Sequence, residues 1–248
     1  MSDGTLILLR HGESLFNAAS VFTGLLDVDV SECGREQARA AGRLLAVSGL
    51  TPETIWTSPM RRAAVTAELV RAELGLDPAR VTSTWRLAER DYGSLTGVPK
   101  AEARERYGAE GYVTLRRTLD GSPGPATAEQ AAAWPVRPYT EPGSGLPEPG
   151  AGETLRDVIE RVTPVWDQLR GALAGGAQVL VVAHGNSLRA LCAVVDALSP
   201  EEVQDLNIPP GEPLVYRWDG VGVAPRGGEY LDDAAHEAVA LIAAEGGT

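Results

Sequence analysis

Two stretches of the chain are unbroken runs of β-branched and aliphatic residues that end in the same signal. Thr5–Leu9 is followed at once by Arg10, His11 and Gly12, and the run that starts at Gln178 finishes as Ala183, His184 and Gly185. Neither run alternates with polar residues, which is the pattern of a strand buried on both faces. Other segments carry a helical period instead. Gly34–Ser48 aligns Ala38, Ala41, Leu45 and Ser48 on one face. Met60–Leu74 reads as a second helix that stops at Gly75, with Pro78 just beyond. Thr154–Leu173 gives the cleanest stripe, formed by Leu155, Val158, Ile159, Val162, Leu169 and Leu173, and opens with Thr154 and Asp157 in a capping box. Pro164 is expected to kink this helix or split it in two. Asn186–Asp196 continues with Leu188, Leu191, Cys192 and Val195 in phase. Thr54–Thr57, Val81–Trp85 and Pro213–Trp218 read as short strands, and Asp232–Ala244 as a terminal helix.

Strands alternating with helices predict an α/β fold of three layers, a mainly parallel sheet flanked by helices on both faces. The expected organisation is a single domain over residues 1–248. It includes an insertion at about 108–152, near the active site. Within it, Gly121–Gly152 holds seven of the 17 prolines and six glycines, too few large apolar residues for a core of its own. Such a stretch is either a surface linker or a lid, and an ordered insertion beside the site is the reading carried forward. In open α/β sheets ligands bind beyond the carboxyl ends of the strands, where both His11 and His184 stand. A single histidine there is usually structural, but two in matching contexts are not a common accident. His236, the third and last, has no such context and reads as a surface residue.

Composition narrows the chemistry. Apolar residues make up 44% of 248, enough for a large core, and no run approaches a membrane span. No basic, then apolar, leader opens the chain, so a cytoplasmic location is expected. Cys33 and Cys192 form no CxxC pair, and no metal-ligand spacing is present, so neither a disulfide framework nor a metal is expected. A net charge of −12 disfavours nucleic acid and acidic membranes as partners. Against that background local cations stand out: Lys100, the sole lysine, and the adjacent pair Arg116 and Arg117. On spacing alone an arginine pair reads as a solvated helix face.

If "RHGES" (Arg10–Ser14) and "AHGN" (Ala183–Asn186) meet in space, they make an anion pocket. Gly12 and Gly185 would let a ligand approach the backbone, and the helix N-termini that follow would offer N–H groups. Arg10 adds a fork suited to phosphate oxygens. One imidazole can attack phosphorus, and the other can donate to the charge developing on its oxygens. Glu89 sits between Arg86 and Arg90, one of which could restrain its charge, with a plain surface ion pair as the bland alternative.

Several further stretches, among them "FTGLLDVDVSECGREQA", "TSPMRRA", "RLAERDYGSLTG", "VVAHGNSLRAL" and "NIPPGEPLVY", join these motifs. Together, from about Thr5 to Tyr216, the chain resembles the cofactor-dependent phosphoglycerate mutase family of the histidine phosphatase superfamily. The resemblance implies that His11 is the phosphorylated nucleophile. Arg10, Asn17, Arg62 and His184 surround the transferred group, and Glu89 is the general acid/base. Ser14, Thr23, Gly24, Tyr92, Lys100, Arg116, Arg117, Gly185 and Asn186 would hold a small phosphorylated three-carbon acid. It also implies 2,3-bisphosphoglycerate as the phosphoryl donor that primes His11, no metal, and a homodimer or homotetramer. The chain departs from the pattern at Leu25 and Leu115, where the family usually has tryptophan, at Pro99 before Lys100, in the insertion, and in the tail. These departures touch the substrate side and the closing elements, so two rival expectations stand beside a mutase. One is a histidine phosphatase acting on a small phosphorylated metabolite, and the other is a phospho-ligand-binding domain without catalysis.

Overall fold

The computed structural model describes residues 4–244; the last four residues of the predicted tail lie outside them. Six strands form one sheet: β1 (Thr5–Arg10), β2 (Thr54–Thr57), β3 (Val81–Ser83), β4 (Gln178–Ala183), β5 (Leu214–Trp218) and β6 (Val223–Tyr230), in the order β3-β2-β4-β1-β5-β6. The first four run parallel, and β5 and β6 pair antiparallel at one edge. The sheet is therefore mainly parallel, as expected. The second edge strand was not anticipated, because "VAPRGGEY" carries a proline and two glycines and no apolar alternation. It pairs as the outer arm of a hairpin, where such residues are tolerated.

Side chains alternate across the sheet. Leu6 and Leu8 of β1, with Val179 and Val181 of β4, pack against α6 (Leu155–Ala174) and α7 (Gly185–Val195). Ile7, Leu9, Leu180 and Val182 pack on the opposite face against α2 (Glu32–Val47) and α3 (Arg61–Glu73). The helices start where their caps stand. Ser31 accepts from the Gly34 N–H, and Thr154 and Asp157 close the predicted capping box. Ser48 is exposed as the C-cap of α2 rather than part of its buried face, which instead uses Gly34, Ala38, Ala41, Gly42 and Leu45.

Pro164 does not break α6, which runs unbroken for 20 residues. The carbonyl that loses its partner to a proline belongs to the residue four earlier, here the exposed Glu160, where water can replace the lost bond. The terminal helix α9 (Ala234–Ala244) is present, with His236 exposed on it. Val81–Trp85 is a strand only to Ser83; a 3-10 turn over Trp85–Leu87 follows. Among the described residues no helix is long and apolar enough to cross a membrane.

Lys100–Arg117 (α4), two helical stretches that meet at a kink at Gly108, turns Arg116 and Arg117 inward, so the pair is buried rather than solvated. The expected insertion at about 108–152 thus begins inside α4; the remainder carries one further short helix, α5 (Ala128–Ala132), and is pinned at its middle and its far end. The Asp91 carboxylate accepts from Gly93 N at 3.0 Å, Gly150 N at 2.8 Å and Gly152 N at 3.1 Å. Further along, Tyr139 N–H donates to Leu25 at 2.7 Å, Asp27 N–H donates to Arg137 at 3.1 Å, and Leu26 bridges Pro138. The stretch is an ordered brace against residues 24–28. Leu25 occupies the contact, packed with Met60, Ala88, Tyr139 and Leu146.

Burial raises the pKa of Asp91 while its three N–H donors pull it down. Asp91→Asn puts an amide N–H against donors already committed to oxygen. It is expected to cost about 2–3 kcal/mol, read as a shift in urea midpoint, and to speed proteolytic cleavage between residues 139 and 149. An unchanged cleavage rate would show that this carboxylate does not hold the insertion.

Candidate active site

Strand register explains the site. Leu8, Leu9 and Arg10 of β1 lie opposite Val181, Val182 and Ala183 of β4, so the next residue on each strand is a histidine. The His11 N–H donates to the Ala183 carbonyl at 2.9 Å, and the two imidazole centroids stand 5.0 Å apart in an edge-on arrangement. On the other side of β4, Thr57 of β2 pairs with Val182, so Ser58 leaves β2 opposite Ala183, next to His184. Ser58 Oγ and His184 Nε2 are 2.7 Å apart, and both side chains are wholly buried.

The His11 Nδ1–H donates to its neighbour, the Gly12 carbonyl, at 2.7 Å, which leaves Nε2 as the basic nitrogen of a neutral ring. Burial, and then Arg62 and Arg10, push the His11 pKa well below the ordinary value. His184 shifts the same way, through burial and then Arg62 and His11. Both rings are therefore neutral at physiological pH, as a nitrogen nucleophile requires.

Arg10, His11, Asn17, Thr23, Gly24, Arg62, Glu89, Tyr92, Lys100, Arg116, Gly185 and Asn186 line one cavity, together with Val21 and Phe22. Twelve of the fifteen residues singled out from the sequence thus meet around a single space. The other three stand behind its wall. Ser14 caps the short helix α1 (Leu15–Ala18); its Oγ and N–H both point at Asn17 Oδ1, which turns the Asn17 amide nitrogen toward the cavity. Arg117 reaches the carbonyls of Gln204 and Leu206, and burial lowers its pKa to about 10. His184 is wholly buried and is not among the residues that line the cavity.

Gly12 owes its identity to packing, not to a ligand. A Cβ there would lie 2.1 Å from the Gly34 carbonyl oxygen at the start of α2. Pro99 is extended and ends just before α4, so Lys100 opens that helix and still faces the cavity.

The cations are held without being neutralised. Arg10 donates to Ile208 O at 2.9 Å, and Arg62 to Leu26 O at 2.9 Å and Gly24 O at 3.0 Å. Burial brings the Arg62 pKa down to about 10. Glu89 is restrained differently from the sequence expectation. Its Oε1 accepts from the backbone N–H groups of Arg90 at 2.7 Å and Asn186 at 3.3 Å. The Arg90 guanidinium instead serves the carbonyls of Glu153, Arg116 and Gly121, and Arg86 stacks on Trp85. Arg10 Nε and His184 Nδ1 are buried without a hydrogen-bond partner among the described residues. Buried polar atoms are rarely left so in the working state, and for Arg10, which lines the cavity, an anion there is the natural partner. Among the described residues no cluster of three or more His, Cys, Asp or Glu could hold a metal ion.

Known proteins resemble this chain in sequence and in fold. The sequence profile of the histidine phosphatase superfamily (branch 1) matches residues 6–137 and 118–226. A 2,3-bisphosphoglycerate-dependent phosphoglycerate mutase of Clavibacter sepedonicus is 44% identical over 98% of this chain and 97% of its own. The enzyme of the same name from Thermobifida fusca (strain YX) is also 44% identical, over 98% and 99%. The chain belongs to the histidine phosphatase superfamily and, within it, to the 2,3-bisphosphoglycerate-dependent phosphoglycerate mutase family. Among solved structures, a protein titled mycobacterial hydrolase 1 superposes with a TM-score of 0.66 at 26% identity, over 86% of this chain and 89% of that one. The native mycobacterial glucosyl-3-phosphoglycerate phosphatase gives 0.65 at 27%, over 87% and 90%.

In this superfamily member, Ser58 and Arg189 are buried side chains bonded directly to site residues that sequence reading passed over. Both lie inside quoted motifs, "TSPMRRA" and "VVAHGNSLRAL". Only strand register and helix phase reveal which way they face.

The depressed histidine pKa values set a pH dependence. Above about pH 6.5 the rings are neutral both folded and unfolded, and contribute nothing. As pH falls below that value the unfolded chain takes up protons that the folded rings refuse, so stability declines. Urea denaturation between pH 7 and 5.5 should show this loss, and His184→Asn should flatten the slope. NMR titration should find His11 and His184 still neutral at pH 6. A midpoint at or above 6.5 for either ring would contradict the assigned environment.

Proposed function

We propose that this protein is a phosphoglycerate mutase that interconverts 2-phosphoglycerate and 3-phosphoglycerate through a phosphohistidine at His11. One observation carries the reading. A neutral imidazole nucleophile, a backbone-restrained carboxylate and four cationic side chains, Arg10, Arg62, Lys100 and Arg116, share one cavity. A single phosphate needs fewer cations; a molecule with a second anionic group needs this many. The near full-length relatives that bear the mutase name support the same reading. The alternative, a phosphatase using the same His11, draws on the fold likeness to the mycobacterial phosphatase.

In the primed protein a free hydroxyl of the bound phosphoglycerate gives its proton to the Glu89 carboxylate and takes the phosphoryl group from His11, the new O–P bond forming as the N–P bond breaks. In the return step His11 Nε2 attacks the other phosphorus, the new N–P bond forms as the ester P–O bond breaks, and the departing oxygen takes the proton back from Glu89. Glu89 Oε1 is occupied by two backbone donors, so Oε2 serves as the proton-exchanging oxygen. Arg10 and Arg62 stabilise charge on the phosphoryl oxygens, and His184 Nδ1 stands available beside them. Asn17, through its amide nitrogen, adds a neutral donor.

The residues present fit 2,3-bisphosphoglycerate: the cavity is cationic, and Arg10 Nε on its wall is buried without a partner among the described residues. When bound, that cofactor supplies the phosphoryl group that primes His11, and Lys100 and Arg116 would hold its second anionic end. The reading treats residues 1–248 as one domain, acting in the cytoplasm as a homodimer or homotetramer. With its net charge of −12, the protein is a poor partner for nucleic acid or acidic membranes.

Three assays test this. Wild-type protein should interconvert the two phosphoglycerates faster when 2,3-bisphosphoglycerate is added, and release little inorganic phosphate. His11→Ala should lose both the phosphoenzyme and turnover, and mutase activity surviving in it would be fatal to the scheme. Glu89→Gln should slow transfer to a hydroxyl by about 10²–10⁴-fold while inorganic phosphate still binds. Phosphate release that outpaces interconversion in the wild type would select the phosphatase reading.

A further inference from the structure

Arg189 is a buried cation with no place in the scheme above. It lies in α7, one turn after Asn186, and is wholly inaccessible to solvent. Its Nη2 donates to the carbonyls of Val203 at 2.7 Å and Arg117 at 3.0 Å, which ties α7 to α8 (Pro200–Asp205) and to the end of α4. Its Nη1 donates to Asn186 Oδ1 at 3.0 Å. The other side of that amide faces the cavity, where Asn186 Nδ2 donates to the Tyr92 hydroxyl at 2.9 Å. Asn186 and Tyr92 both line the cavity.

We propose that Arg189 is a positioning residue that sets the hydrogen-bonding polarity of Tyr92, acting through the side-chain amide of Asn186. A guanidinium donates only, so the atom of Asn186 that faces it must be the oxygen. The nitrogen is thereby turned toward Tyr92. The phenol oxygen accepts from that nitrogen, and its own single proton points elsewhere, into the cavity. With the amide reversed, Oδ1 would capture the Tyr92 proton, and an N–H would confront a guanidinium N–H in a buried place, which is costly. Arg189 forbids that reversal and leaves Tyr92 as a donor to an anionic ligand. The fork cannot rotate to relieve a mismatch, because Val203 and Arg117 fix its other arm. The same residue steadies Glu89 indirectly, since the Asn186 N–H is one of the two donors on Glu89 Oε1. The choice of ligand rests on the phosphoglycerate reading above; the amide orientation does not.

The test is a double-variant cycle on intact protein, with 3-phosphoglycerate binding measured by calorimetry. Arg189→Lys keeps the charge but cannot span three oxygens, and Tyr92→Phe removes the donor. Each should weaken binding about tenfold, and the double variant should be no more than threefold worse than either. Independent losses that multiply to about a hundredfold would overturn the proposal. Inorganic phosphate, which needs only the cations beside His11, should bind all four proteins within twofold. A parallel loss of phosphate in Arg189→Lys would mark a general collapse and overturn the specific role. The amide orientation is read without ligand, by NMR. The Asn186 Nδ2 protons should exchange slowly with solvent in the wild type and quickly in Arg189→Lys. Fast exchange in the wild type would overturn the arrangement. Slow exchange in a protein that binds no 3-phosphoglycerate would support it while denying the substrate.

Discussion

The parallel, in-step pairing of β1 with β4 is the constraint from which the active site follows. Residue 10 lies opposite residue 183, so residues 11 and 184 leave the sheet side by side. A slip of one residue would place His11 against Gly185 and turn alternate side chains of β1 to the wrong face. That slip is resisted by two apolar layers at once, because Leu6 and Leu8 belong to one core and Ile7 and Leu9 to the other. The chemistry is thus aligned by hydrophobic burial some distance from where it occurs.

A second principle governs the charge. The chain is strongly acidic, yet its interior holds guanidinium groups satisfied by main-chain carbonyls: Arg10, Arg62, Arg90 and Arg189 all donate to backbone oxygen. A carbonyl fills a hydrogen-bonding position without cancelling a charge. The positive field therefore remains directed into the cavity, while the acidic surface discourages larger polyanions. Arg161 is the contrasting case, paired with Glu153 at 2.8 Å and used to tie α6 to the turn before it.

Much of this was legible in the residues because the signals were periodic or local. The two strand-His-Gly endings, the stripe on α6 and its cap read directly, and so did the carboxyl-end location of both histidines. What was hidden depended on direction. "LRR" does not say whether its arginines face water; the inward turn of α4 decides that. Glu89 looks paired with flanking arginines until backbone N–H groups are seen to hold it. Gly12 looks like a ligand contact until Gly34 is found against it. The proline in α6 looks like a break, and would be one if the orphaned carbonyl were buried.

The brace formed by the insertion has a mechanical meaning. Arg62 hangs from the carbonyls of Gly24 and Leu26, and the N–H groups and carbonyls of that same ribbon are zipped to residues 137–139. A proline-rich outer stretch is thus only one peptide layer away from the buried Arg62 guanidinium. Sequence drift in that stretch becomes a tuning screw for ligand preference, turned from outside while the sheet and its paired imidazoles stay as they are.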